Sequence, residues 1–148
     1  MRQVGIFGKR SSGKSALMYA LTKSEIIGAA KFSSMEISGV GKIMLVDTVG
    51  VDVENSTAEK SAESIELALL LISDNFFELE LAWLSKLKKT GAKVIVAVSR
   101  ADIFPDDGKS LAAAVAEVSG ITPVRVSAKT GLGMETLAKE IINKLSAK

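Results

Sequence analysis

The chain has 148 residues, of which 47% are hydrophobic and 24% charged, a composition typical of one globular domain and far from that of a disordered chain. It contains no His and no Cys, which excludes a Ser-His-Asp triad, a Cys-His pair and a His/Cys zinc site. The net charge is only +2, so composition favours neither nucleic acid nor an anionic membrane as partner. We expect a single cytoplasmic domain over residues 1–148, with no membrane insertion.

Short apolar runs alternate along the chain with segments of helical period. Strands are predicted over 4–7, 34–38, 42–47, 67–72, 94–98 and 123–126, with a hairpin turn at Gly39-Val40-Gly41. Helices are predicted over 14–22, 75–89, 109–118 and 133–144. The strands at 67–72 and 94–98 are apolar throughout, which is typical of strands buried on both faces. The alternation predicts an α/β fold with a mostly parallel sheet.

A phosphate-binding loop is predicted between the first strand and the first helix. Residues 8–15 are GKRSSGKS, which match the pattern G-x-x-x-x-G-K-[ST]. The two glycines allow successive N–H groups to turn towards an anion, and the helix N-terminus adds a favourable dipole. Lys14 is expected to bind the β- and γ-phosphates, and the Ser15 hydroxyl to bind Mg²⁺. The residues predicted to bind phosphate are Gly8, Lys9, Arg10, Ser11, Ser12, Gly13, Lys14, Ser15 and Ala16.

Three further motifs stand at the ends of predicted strands. Asp47-Thr48-Val49-Gly50 follows the third strand, where Asp47 is predicted to hold Mg²⁺ through water and the Gly50 amide to contact a γ-phosphate. Ser99-Arg100-Ala101-Asp102 follows the fifth strand and Ser127-Ala128-Lys129 the last. The Asp102 carboxylate can accept two hydrogen bonds from guanine that adenine cannot donate. Together the motifs favour GTP over ATP.

On these motifs the chain resembles the translation-factor-related class of small P-loop GTPases. Its segments GIFGKRSSGKSALMYALT, MEISGVGKIMLVDTVG and VSAKTGLGMETLAKEII are similar to the GTPase domain of the HydF hydrogenase-maturation family. The EutP/PduV group is a second resemblance. HydF also carries a cluster-binding domain with cysteines, and this cysteine-free chain cannot take over that function.

The resemblance implies a Ras-like P-loop NTPase fold, a three-layer sandwich around a mostly parallel six-stranded sheet. It implies GTP or GDP as ligand and Mg²⁺ as cofactor, with Ser15 and Asp47 as metal ligands. It assigns catalytic roles to Lys14, Ser15 and Gly50. The residues it assigns to guanine are Ser99, Arg100, Asp102, Ser127, Ala128 and Lys129.

The chain departs from the family pattern around the γ-phosphate. No Thr lies between Lys23 and Asp47, so switch one (Lys23–Ser33) lacks the Thr that would sense Mg²⁺ and the γ-phosphate, and Ser33 or Ser34 is the alternative for that role. Val51 stands where signalling GTPases place a water-orienting Gln. Ser11 replaces the Asn that helps potassium-activated relatives hold K⁺. Each departure is expected to weaken hydrolysis more than binding.

The guanine motif departs as well, because Ser99-Arg100 replaces Asn-Lys. Ser99 is expected to be too short to bridge loops as Asn does. Arg100 is expected to cover the base with its stem and guanidinium plane. Guanine recognition should therefore rest mainly on Asp102.

Three functions are compatible with these motifs. The favoured hypothesis is a slow Mg²⁺-dependent GTPase that acts as a switch or accessory domain. The alternatives are a degenerate GTP/GDP-binding or scaffolding domain without significant hydrolysis, and an ATPase or nucleotide kinase. The helix Phe76–Leu87 carries a wide apolar surface, which fits either a core face or a surface for a protein partner or self-association.

Overall fold

The computed structural model describes residues 2–10, 12–22, 32–37, 41–47 and 65–146. Ser11, Gly50, Val51 and most of switch one lie outside this part of the chain, as do the first two residues of the hairpin turn. The side chain of Asp47 is also outside it. The expectations placed on them remain predictions.

The described elements are six strands and four helices, and from β4 onwards strands and helices alternate. The strands are β1 (Arg2–Phe7), β2 (Phe32–Ile37), β3 (Gly41–Asp47), β4 (Leu67–Ile72), β5 (Lys93–Val98) and β6 (Val124–Arg125). The helices are α1 (Lys14–Thr22), α2 (Glu78–Lys89), α3 (Lys109–Ser119) and α4 (Met134–Ser146), with a short 3₁₀ turn at Ala101–Ile103.

The described strands form one six-stranded sheet in the order β2-β3-β1-β4-β5-β6. Every neighbouring pair is parallel except β2 and β3, which are antiparallel. This confirms the predicted mostly parallel six-stranded sheet. Because β1 lies between β3 and β4, the phosphate loop that follows it emerges near the centre of the sheet.

Helices cover both faces of the sheet, as the alternation of side chains along β4 shows. All six residues of β4 are buried. Leu67, Leu69 and Leu71 pack in one cluster with residues of α1 and α4. Ala68, Leu70 and Ile72 pack in a second cluster with residues of α2 and α3. Side chains of successive strand residues point to opposite faces, so the domain has three layers, as predicted.

Two elements are shorter than the sequence pattern predicts. Helix α2 begins at Glu78 instead of residue 75, because the Asp74 carboxylate accepts a hydrogen bond from the Phe76 N–H at 2.9 Å and closes a turn there. Strand β6 contains two residues instead of four, and it pairs only with Ala97 and Val98 of β5.

The apolar surface predicted on the Phe76–Leu87 helix is mostly core. Trp83, Leu84 and Leu87 are buried, and Phe77 and Leu79 pack partly against the same cluster. Phe76 lies before the first turn of α2 and is 74% exposed. The core interpretation therefore explains most of the pattern.

The helices in the described part of the chain are α1 to α4. None of them is both long enough and apolar enough to cross a bilayer.

Candidate functional site

The phosphate loop lies at a strand-to-helix junction, as predicted: β1 ends at Phe7 and α1 begins at Lys14. Within the loop the Ser12 N–H donates to the Lys9 carbonyl at 3.0 Å, and Gly13 has a φ of +90°. An L side chain rarely adopts that φ. A Cβ on Gly8 would lie 2.5 Å from the Ser12 Oγ. Both glycines are thus needed for the loop to close.

Lys14 is buried inside the loop that it follows. Its ammonium donates to the carbonyls of Gly8 and Lys9, at 3.2 and 2.8 Å. The positive charge is therefore held at the concave side of a Gly-rich turn, beside the start of α1. A helix N-terminus and a lysine in this position make an anion site.

The other residues of the loop differ in exposure. Arg10, Ser15 and Ala16 are exposed, whereas Ser12 is fully buried. The Ser12 hydroxyl has no hydrogen-bond partner among the described residues. The main-chain carbonyl of Ser12 accepts a hydrogen bond from Ser99, a residue of the guanine motif that follows β5.

That bond corrects the expectation for Ser99. Its hydroxyl donates to the Ser12 carbonyl at 2.7 Å and is buried, so Ser99 does bridge the guanine motif to the phosphate loop. The Ser99 N–H also donates to the Ile72 carbonyl at 3.0 Å, which fixes the end of β5 beside the end of β4. A short side chain then suffices.

The two predicted guanine motifs meet at Asp102. Its Oδ1 accepts a hydrogen bond from the Ser127 Oγ at 2.7 Å, and the Ala101 N–H donates to the Val126 carbonyl at 2.9 Å. Arg100 has a φ of +54°, a conformation uncommon outside glycine, and its stem would be 3.3 Å from a Cβ on Gly13. Arg100 therefore extends from the guanine motif towards Gly13 of the phosphate loop.

A cavity of about 230 Å³ opens between these loops. Ligand pockets for whole drug-sized molecules are about 300–1,000 Å³, so this cavity suits one part of a ligand, such as a base. The residues that line it include most of the predicted base-binding set and part of the phosphate loop: Gly13, Ala16, Leu17, Ser99, Arg100, Asp102, Ile103, Val126, Ala128 and Lys129.

The residues predicted to bind Mg²⁺ converge on the same end of the sheet. Asp47 ends β3 opposite Ile6 of β1, two residues before the loop, and Ser15 lies in the first turn of α1. In the described part of the chain, no group of three or more acidic residues could hold a metal alone. Mg²⁺ at nucleotide sites takes one or two protein oxygens and completes its shell with phosphate and water. Ser15 and Asp47 are oxygen donors of the kind that Mg²⁺ takes beside bound phosphate, and their joint role stays a prediction because the side chain of Asp47 lies outside the described residues.

The side chain of Lys9 turns away from the anion site. Its ammonium donates to the Phe76 carbonyl and lies 3.3 Å from the Asp74 Oδ1 and 3.5 Å from the Glu80 Oε2. The prediction that Lys9 binds nucleotide therefore applies only to its main chain. Burial would lower the pKa of Lys9, but the carboxylates of Glu80 and Asp74 outweigh it and raise that pKa.

Glu80 is a functional candidate that sequence reasoning missed. Its side chain is 1% exposed, and burial raises the pKa of its carboxyl although Lys9 opposes the shift. The sequence did contain a signal. Glu80 lies three residues after Phe77 and four before Leu84, so helical spacing places it on the apolar face.

A larger cavity, of about 670 Å³, lies away from this site, along β5, β6 and α4. It opens there because β6 leaves the first four residues of β5 unpaired on that side. None of the residues that line it belongs to the predicted nucleotide site. They include Val94, Ile95, Pro123, Arg125, Thr136 and Glu140.

Known proteins that are similar to this chain are GTPases. A family model described as 50S ribosome-binding GTPase matches residues 3–100. The tRNA modification GTPase MnmE of Aquifex aeolicus is 29% identical over an alignment that is 164 residues long with its gaps. The alignment covers 98% of this chain and 35% of MnmE.

Two solved structures share the fold. Era in complex with MgGDPNP and nucleotides 1506–1542 of 16S ribosomal RNA superposes with a TM-score of 0.79 and 22% identity, covering 97% of this chain and 56% of that one. The FeoB G-domain from Methanococcus jannaschii superposes with a TM-score of 0.75 and 25% identity, covering 99% of this chain and 100% of that one. The chain thus spans about a third of MnmE and just over half of that Era chain.

Proposed function

The chain belongs to the 50S ribosome-binding GTPase family and is a GTP-binding GTPase domain, and on that basis we propose that it hydrolyses GTP slowly, with Mg²⁺, as a switch or accessory domain. One observation supports guanine binding above all others. The Ser99 hydroxyl donates a hydrogen bond to the phosphate loop, and the Ser127 hydroxyl donates one to Asp102. The phosphate loop and both guanine motifs therefore border one cavity. The sequence alone placed these motifs only at strand ends.

Slow hydrolysis follows from residues that the sequence lacks. The charges that stabilise a transferring phosphoryl group are available, from Lys14 and from Mg²⁺ held by Ser15 and Asp47. When bound, the ion would neutralise charge that develops on the phosphate oxygens. The groups that would position the attacking water are missing, because Val51 replaces Gln and switch one contains no Thr.

We further propose that residues 1–148 act as one cytoplasmic domain of the HydF-like branch, with a protein partner or self-association. The three quoted segments support the branch, and the exposed Phe76 supports a contact surface. The Era chain that shares this fold is in complex with 16S ribosomal RNA, which weakens the expectation from net charge that nucleic acid is no partner.

Phosphate release at saturating GTP with Mg²⁺ tests the proposal, first in sodium and then in potassium. We expect turnover well below the typical enzyme median of roughly 10 s⁻¹. Potassium should stimulate little, since Ser11 is a poor substitute for an Asn ligand. Lys14→Ala, which removes the buried ammonium of the loop, supplies the background rate.

Turnover near the median, or a large potassium effect, would contradict this account of the active site. GTP binding with no release above the Lys14→Ala background would favour the degenerate binding domain instead.

A further inference from the structure

The buried carboxylate of Glu80 is the feature that the proposed function leaves unexplained. Both of its oxygens lack a hydrogen-bond partner among the described residues, and the Lys9 ammonium is 3.5 Å from one of them. Removing a carboxylate from water is costly, and one cation at that distance offsets only part of the cost. An apolar side chain at residue 80 would serve the α2 core better. Stability alone therefore does not account for Glu80.

Lys9 connects this carboxylate to the phosphate loop through its two ends. Its ammonium lies among Glu80, Asp74 and the Phe76 carbonyl, all at the start of α2. Its main-chain carbonyl accepts from the Lys14 ammonium at 2.8 Å and from the Ser12 N–H at 3.0 Å. An anchored side chain restricts the main chain of Lys9, and with it the carbonyl that accepts from Lys14.

We propose that Lys9, anchored by Glu80 and Asp74, is a positioning residue that fixes the phosphate loop to the start of α2 and holds Lys14 ready for nucleotide phosphates. This inference rests on the proposed function. Glu80 pairs with Lys9 at 3.5 Å, and Lys9 acts through its main-chain carbonyl. A loop fixed before the ligand arrives loses less conformational freedom on binding, so the anchor strengthens binding to phosphates.

The test compares variants of the full chain by their affinity for GDP and GMP, and by their thermal midpoint without nucleotide. Lys9→Met removes the ammonium but leaves Glu80 buried without a cation, and it can fail to fold. Lys9→Met combined with Glu80→Leu removes both charges and avoids that problem. Glu80→Gln tests the anchor alone. Glu78→Gln is the matched control, since Glu78 is an exposed carboxylate in the same helical turn.

We expect the Lys9→Met/Glu80→Leu variant to bind GDP about tenfold more weakly and to lose part of the preference for GDP over GMP. Glu80→Gln should lose part of the affinity for GDP, and Glu78→Gln should lose none. Lys9→Arg, which keeps the positive charge, should retain most of the wild-type affinity for GDP. Variants that shift the midpoint while GDP affinity stays at the wild-type value would overturn the inference, because Glu80 would then be structural only. If the wild-type chain itself binds no guanine nucleotide, the proposed function fails instead.

Discussion

We predict that the choice of nucleotide depends on Asp102. The Ser127 hydroxyl orients one of its oxygens, and Ser99 ties the preceding loop to the phosphate loop. The sequence motif predicted that Asp102 binds guanine, but it did not predict the hydrogen bonds of Ser127 and Ser99 that hold this loop in place. Side-chain length suggested that Ser99 could not bridge the loops, and the backbone approach that makes the bridge possible depends on strands far apart in sequence.

Asp102→Asn should relax the preference for guanine. The carboxylate accepts from two guanine donors, whereas the amide presents a donor of its own to one of them. We expect the ratio of GTP to ATP affinity to fall by at least roughly tenfold. Competition against a fluorescent GDP measures it, with Asp107→Asn as control because Asp107 is exposed and Asn also tolerates its φ of +57°. An unchanged ratio in Asp102→Asn would remove Asp102 from the base site.

Glu66 should make stability depend on pH. The Arg2 Nε donates to its Oε1 at 2.9 Å and to its Oε2 at 3.1 Å, and this holds the pKa of Glu66 below its ordinary value although burial opposes the shift. The ionised form is favoured in the folded state. Its contribution is therefore complete above the unfolded pKa and is lost as the pH falls through the lower folded pKa.

Glu66→Gln should consequently destabilise the chain at pH 7, by an amount that disappears in acid. Urea unfolding of wild type and variant at pH 7, 5 and 3 gives the difference in free energy of unfolding. Glu135→Gln is the control, because its pair with Lys139 is fully at the surface and should contribute little at any pH. A difference that grew towards pH 3 would reverse the assigned sign.

At the scale of elements, β4 and α1 were predicted at both ends, whereas the start of α2 and the edge of the sheet were not. The apolar run of β4 and the P-loop pattern before α1 fixed their boundaries, and both agree with the structure. The start of α2 was placed too early because the Asp74 side chain competes for the Phe76 N–H. The length of β6 depends on how much of β5 it pairs with, which local sequence does not specify.

Trp83 of α2 and Phe76, which lies just before that helix, are a matched pair of aromatic residues. Trp83 is 3% exposed and stacks on Phe7 with ring centroids 5.8 Å apart, whereas Phe76 is 74% exposed. Trp83→Ala should lower the free energy of unfolding by about 3–5 kcal/mol, and Phe76→Ala should change it by less than about 0.5 kcal/mol. Urea unfolding of both variants checks this. Comparable losses in the two would mean that Phe76 belongs to the core.

At the scale of the whole molecule, the order of motifs along the chain predicted where the site lies. Parallel strands place their carboxyl ends at one edge, so loops after β1, β3, β5 and β6 had to converge there. The anchor of Lys9 was not predictable in this way. It joins residues 65 positions apart, Lys9 and Asp74, and no motif contains both. The contact forms because the fold places the start of α2 beside the phosphate loop.

The central claim, that the chain is a guanine-specific nucleotide-binding domain, is tested most directly by calorimetric titration with GTP, GDP and ATP, each with and without Mg²⁺. We predict one guanine nucleotide per chain, tighter GTP binding with Mg²⁺ than without it, and ATP binding weaker by roughly 100-fold or more. ATP binding as tight as GTP binding, or no heat with either guanine nucleotide, would contradict the claim.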